Sequence, residues 1–238
     1  MAGMNWAAST PTALDYFATL VRSDHQFPLM EAAISLAQDE FPELDLQSVL
    51  AEVDQLQARL QRRSRADDDP LHALAVLNQF FFRELGFSGN VNDYYDPDNS
   101  FIHVLLRTRR GIPISLAVLW LELAASIGLK VHGVGFPGHF LVKVMTSQVA
   151  GGQIVIDPFT GQVLGEETLL EWLGPIRWTP SGLTLAQRQK AWLQRHLEPA
   201  PPRHIIARML RNLGDIYRTQ GDEPRWRAVQ QRLDVLGG

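Results

Sequence analysis

The sequence predicts an α+β protein: a helical N-terminal half, a small antiparallel sheet packed on one buried central helix, and a helical C-terminal segment. Three observations carry this. Residues 113 to 127 are apolar almost all round, between Pro113 at a first-turn position and Gly128 just past the end, which marks a buried helix. Three short strand candidates, "KVHGVGF", "HFLVKVM" and "QIVIDPF", follow it. On both sides of this core the apolar residues recur at helical spacing.

The elements follow in order. Thr10-Pro11 opens a first helix and Phe27-Pro28 a second, with Met30, Ile34 and Leu36 as its apolar stripe. Asp45 caps "LQSVLAEVDQLQARLQ", in which Leu50, Val53, Leu56 and Leu60 fall at helical spacing. "RRSRADDDP" is a polar loop whose aspartates suit the helix start at Pro70; no second oxygen cluster with EF-hand spacing makes it a metal site. "LHALAVLNQFFFRELGF" is a strongly apolar helix closed by Gly86.

The longest irregular stretch is "SGNVNDYYDPDNS", residues 88 to 100. A loop of that length inside a compact domain is usually functional, and Tyr94 and Tyr95 give it apolar surface to bury. Asn99-Ser100, just before "FIHVLL", reads first as a helix cap. After the central helix, "TSQVAGG" joins the second and third strand candidates as an antiparallel hairpin.

Helices at about 166–174, 184–196, 203–219 and 223–236 complete the chain, the last two after the Pro-rich joint "EPAPPR". The stretch "LRNLGDIYRTQGDEPRW" resembles one tetratricopeptide unit, with Leu213-Gly214, Tyr217 and Gly221-Asp222 at that repeat's spacing. It departs at Trp226, where the repeat takes a small residue. The expected organisation is an N-terminal helical segment over 1–67, a core over 68–178 and a tetratricopeptide-like segment over 179–238.

Composition narrows the function. With 45% hydrophobic and 20% charged residues, the 238-residue chain is an ordinary globular sequence. A net charge of −4 and short, interrupted basic clusters supply no nucleic-acid footprint. The sequence has neither a bilayer-length apolar run nor a secretion signal, so a cytoplasmic protein without a membrane partner is expected. The absence of cysteine excludes disulfides, thiolate zinc sites and a thiol nucleophile.

Taken together, "GIPISLAVLWLELAASIGL", "GVGFPGHFLVKV" and "IVIDPFTG" resemble the Cys-His-Asp core of the transglutaminase-like superfamily, which shares the papain-type arrangement. The longer string from Leu77 to Gly161 is similar to its bacterial invasion-regulator (SirB-like) branch, which carries a C-terminal tetratricopeptide-like segment. In the parent chemistry a thiol at a helix's first turn is pushed toward thiolate by the helix dipole. A histidine then serves as base and a carboxylate holds its tautomer. The resemblance maps the last two roles onto His139 and Asp157 and places the cysteine on Pro113, which has no group that can attack a carbonyl.

Two readings follow. In the leading one, the protein is a catalytically retired transglutaminase-like protein that binds a protein or peptide partner, without a cofactor or metal. His139, Asp157, Tyr94, Tyr95 and Asp96 would line its cleft, and His139 and Asp157 should lie close in space. In the other, it is a hydrolase or amide-transfer enzyme using a substitute nucleophile such as Ser115. At about 100° per residue, Ser115 turns away from the face of Pro113. Its bland alternative is a local hydrogen bond at the helix start. The remaining histidines, at 25, 72, 103, 132, 196 and 204, lack the i,i+3 or i,i+4 partners of a metal site.

Overall fold

The computed structural model describes residues 11–65, 69–175, 182 and 184–237. Helix α1 (Ala13–Leu20) opens on Thr12, whose side chain accepts from the Asp15 N–H while the Asp15 carboxylate accepts from the Thr12 N–H. This corrects the expected start at Thr10-Pro11: only Thr12 has a carboxylate three residues on, and Thr10 lies outside the described residues. Helix α2 (Leu29–Ser35) follows Pro28 and tightens into a 3₁₀ turn at Leu36–Asp39. Asp45 caps α3 (Leu46–Gln61) and Asp69 caps α4 (Pro70–Asn78), each accepting a backbone N–H two residues on. Asp67 and Asp68 lie outside the described residues.

Helix α4 runs into a π-helical turn at Gln79–Glu84, which keeps the adjacent Phe80 and Phe81 both buried. The 88–100 loop is bracketed by two short strands, β1 (Ser88–Gly89) and β2 (Arg110–Gly111), paired in parallel. Between them lie a 3₁₀ turn at Pro97–Ser100 and helix α5 (Ile102–Thr108). These strands were not expected, since two residues each are too short for any periodicity. The reading of Asn99-Ser100 as a helix cap is also corrected. Phe101 occupies the N-cap position of α5 without a side-chain bond, and Asn99 is turned inward.

Helix α6 (Pro113–Ser126) is the predicted central helix, buried on nearly every side, with Gly128 closing it at φ +80°. Trp120 at its middle is fully buried, and its Nε1 donates to Asn78 Oδ1 at 3.1 Å. Against α6 packs a four-stranded antiparallel sheet, β3 (Val131–Val134), β4 (Leu141–Met145), β5 (Gln153–Asp157) and β6 (Gln162–Leu164), in sequential order. The fourth strand, largely exposed and three residues long, escaped the sequence reading.

The alternation of a strand explains how the sheet is covered on both faces. Val142, Val144 and Ile156 join the main core with α6, while Leu141 and Val155 join a smaller cluster with Leu169 of α7 (Glu166–Leu173) and Leu193 of α8 (Leu185–His196). On that second face the Lys143 ammonium donates to the Leu197 carbonyl at 2.6 Å.

Helices α9 (Pro202–Gln220) and α10 (Glu223–Val235) form a hairpin around Gly221, at φ +73°, and Asp222. Gly214 lets them approach: an added Cβ there would sit 3.3 Å from Val229. The hairpin is tied to the N-terminal helices by polar as well as apolar contacts. Buried Arg232 donates twice to Asp39, at 2.6 and 2.9 Å, and Tyr217 donates to Glu40. One continuous buried cluster accordingly runs from Phe17 to Leu236. No helix among the described residues is long and apolar enough to cross a membrane.

Candidate functional site

The site grows from the way the 88–100 loop is fastened. At its base, Ser88 donates to the Arg109 carbonyl and Asn90 to the Gly111 carbonyl, at 3.1 and 2.9 Å. Gly89 N–H donates to the Phe159 carbonyl at 2.9 Å, and the Phe159 ring lies so close that a Cβ on Gly89 would fall 2.2 Å from it. Only glycine fits there. Inside the loop, buried Asn99 donates through Nδ2 to the carbonyls of Asp93 and Tyr94 and accepts from Asn90.

The same asparagine reaches the central helix through its backbone. The Asn99 carbonyl accepts from the Ser115 hydroxyl at 2.6 Å, and Ser115 Oγ accepts in turn from the Ile112 N–H at 3.1 Å. Ser115 is fully buried, so its hydroxyl serves helix start and loop at once and faces no substrate. This is the local role that the sequence offered as the alternative to a nucleophile.

Thus held, the loop presents Tyr94 and Tyr95 edge to face, with centroids 5.3 Å apart, and Tyr94 leans on Phe159 at 5.9 Å. Across from them runs α9. A cleft of about 470 Å³ lies between, lined by the two tyrosines and by Ile112, Asn212, Ile216 and Thr219. Ile112 immediately precedes Pro113, so the cleft opens at the start of α6. Burial pushes the Tyr94 phenol up, with Tyr95 and Asp157 adding to the shift and the Arg208 guanidinium opposing it. Tyr94, Asp157 and Arg208 therefore share one electrostatic neighbourhood.

The remaining expected residues are placed differently. His139 lies in the turn before β4, and its imidazole stacks on Trp172 with centroids 4.1 Å apart and planes 16° from parallel. Asp157, at the end of β5, spends both carboxylate oxygens on its own turn, accepting from the Phe159 N–H and the Thr160 hydroxyl. No hydrogen bond or ion pair joins Asp157 to His139, so the expected imidazole–carboxylate contact is absent from the fold as described. Each group has a different partner instead. Asp96 caps the 3₁₀ turn through the Asp98 N–H and does not line the cleft. Among the described residues no group of three or more histidines or carboxylates could hold a metal ion.

Arg208 was missed. From α9 it donates to the carbonyls of His139, at 2.8 Å, and Phe136, and lies over the Phe140 ring. Its signal was present in the sequence as the spacing His204, Arg208, Arg211, Asn212, Asp215 on one face of an amphipathic helix, but nothing there indicated what that face met.

A buried helix laid on an antiparallel sheet, with a histidine turn entering one strand and an aspartate ending the next, defines a transglutaminase-like domain. A profile of the transglutaminase-like superfamily matches residues 47–211. UPF0162 proteins match over most of the chain. One from Xylella fastidiosa strain 9a5c is 40% identical over 218 residues, 90% of this chain and 72% of its own length. Another from Vibrio cholerae is 32% identical over 145 residues, 61% of this chain and 53% of its own. The chain belongs to the transglutaminase-like superfamily and, within it, to the UPF0162 proteins. A 70-residue stretch is also 40% identical to human F-box only protein 21, covering 29% of this chain and 11% of that protein. No solved structure gives a significant match.

Proposed function

We propose that this protein is a non-catalytic member of its superfamily that binds a protein or peptide segment in the cleft between the 88–100 loop and α9. The observation that carries the reading is Pro113 in the first turn of α6, with an intact cleft beside it. The attacking group has been replaced, yet the surface that would hold a substrate chain persists.

Other features support it. Tyr95 is 75% exposed at the loop tip and Val91 76%, on a loop fastened at its base through Gly89 and Asn90 and inside through Asn99. Exposed aromatic surface on a rigid frame is the usual anchor of a recognition site. The rival reading, a hydrolase using Ser115, meets a buried hydroxyl already engaged with Asn99 and Ile112. The α9–α10 hairpin is read as a single tetratricopeptide-like unit that packs on its own domain and lends the cleft one wall.

The test has two arms. The purified protein is assayed for turnover of amide and ester substrates, and is panned against a random heptapeptide display library. The expected result is no turnover, with peptides retained by wild type and lost from a Tyr95→Ser/Ile216→Ser variant. Turnover abolished by His139→Ala or Ser115→Ala would instead make it an enzyme.

A further inference from the structure

A second, larger cavity meets the cleft at Asn212. It measures about 740 Å³, and its walls carry Arg195 and His196 from α8 and His204, Arg208 and Arg211 from α9. Glu198 is the one carboxylate among its described lining residues, and it lies near the Lys143 ammonium. Arg195, Arg208 and Arg211 form no ion pair among the described residues. In a chain of net charge −4, this is a local excess of unneutralised cations facing a cavity.

The two cavities share Asn212, and together they follow one face of α9 from His204 to Gln220. At 1.5 Å per residue that face is about 24 Å long, which an extended peptide of about seven residues would span. Its two ends differ. The N-terminal end carries His204, Arg208 and Arg211 at the i, i+4, i+7 spacing of a single stripe. The C-terminal end offers Ile216, Tyr94 and Tyr95, and its acidic member, Asp215, is paired with Arg218 at 3.0 Å.

We infer that the groove along α9 takes an extended acidic peptide, its carboxylates over Arg195, Arg208 and Arg211 and an aromatic or large aliphatic side chain between Tyr94, Tyr95 and Ile216. This rests on the peptide-binding reading above and adds the ligand's chemistry and direction. The cations are spread over two helices, Arg195 on α8 and Arg208 and Arg211 most of a turn apart on α9, which suits carboxylates spaced along a chain better than one compact phosphate. Arg208 has already given both terminal nitrogens to backbone carbonyls, which weakens it as a bidentate phosphate clamp. The C-terminal half of the groove, where Asp215 is paired with Arg218, lacks the cations that a nucleic-acid backbone would need.

The decisive comparison uses the full chain and an Arg195→Glu/Arg211→Glu variant. Both side chains are exposed and make no ion pair, so the variant's unfolding curve should overlay that of wild type. Wild type panned against the random heptapeptide library should select sequences with Asp or Glu clustered at one end and an aromatic or large aliphatic residue at the other. Synthetic copies of those peptides should bind the charge-reversed variant about tenfold more weakly. If wild type selects peptides with no acidic enrichment and the variant holds them equally well, the inference is overturned while the peptide-binding reading stands. If wild type retains no peptide, both fall.

Discussion

The hydroxyl of Ser115 donates to the backbone carbonyl of Asn99 at 2.6 Å, joining the second residue after Pro113 in the central helix to the loop that walls the cleft. A side chain that the sequence offers as a nucleophile is thereby a structural tie. It also accepts the Ile112 N–H, so its removal leaves the Ile112 N–H and the Asn99 carbonyl only their long bond to each other, at 3.4 Å.

Ser115→Ala should therefore destabilise the fold by about 1 kcal/mol, the usual net contribution of a buried hydrogen bond. Urea unfolding measures this. In parallel, a fluorophosphonate probe should leave wild-type Ser115 unmodified; specific labelling there would revive the hydrolase.

Asn99→Ala removes the clamp on Asp93, Tyr94 and Asn90 while keeping the backbone carbonyl that Ser115 uses. Amide exchange of residues 90–98 should accelerate far more than that of α6. Uniform protection across both would show that the asparagine side chain does not order the loop.

Gly89→Ala places a methyl group in the Phe159 ring and must displace it, carrying Tyr94 along. A loss of about 1–3 kcal/mol is expected, typical of overpacking, together with weaker peptide retention. A fully stable variant with intact retention would mean that Phe159 can swing aside without consequence for the cleft.

Glu40 gives stability a pH dependence. Burial raises its carboxyl to about 7 from 4.5, against the pull of Arg225, and Asp98, Asp222 and Asp39 add to the rise. Between those values the folded protein keeps a proton that the unfolded chain has released. The group's contribution is thus complete below about pH 4.5 and is lost as pH rises through about 7. Melting temperature should fall between about pH 5 and pH 8 in wild type, and the Glu40→Gln variant should lose that component of the fall. Identical profiles would show that Glu40 titrates normally.

Much of the fold was legible because it depends on local rules. The apolar circumference of 113–127, bounded by proline and glycine, could only be a buried helix. Asp45 and Asp69 capped where short acidic residues precede apolar periodicity, and the hairpin between β4 and β5 followed from alternating runs around paired glycines. The first helix start shifted to Thr12 because capping depends on the residue three positions on. Strands β1, β2 and β6 are too short to leave a pattern; their pairing is set by partners distant in sequence.

For the site, the sequence by itself determined which groups are on offer: the chain has no cysteine, and Pro113 stands where the family resemblance places the thiol. It also singled out Tyr94 and Tyr95, expecting the loop to bury their rings, but Tyr95 is 75% exposed. Only the tertiary structure decided what the remaining residues touch. His139 met Trp172, Asp157 turned to its own backbone turn, Ser115 met Asn99, and Arg208 entered the site from a helix about fifty residues beyond Asp157. Residue type and local spacing set what a side chain can do, but hydrogen bonds and ring contacts are short-ranged, so which of those capacities is used depends on neighbours that packing alone brings within reach.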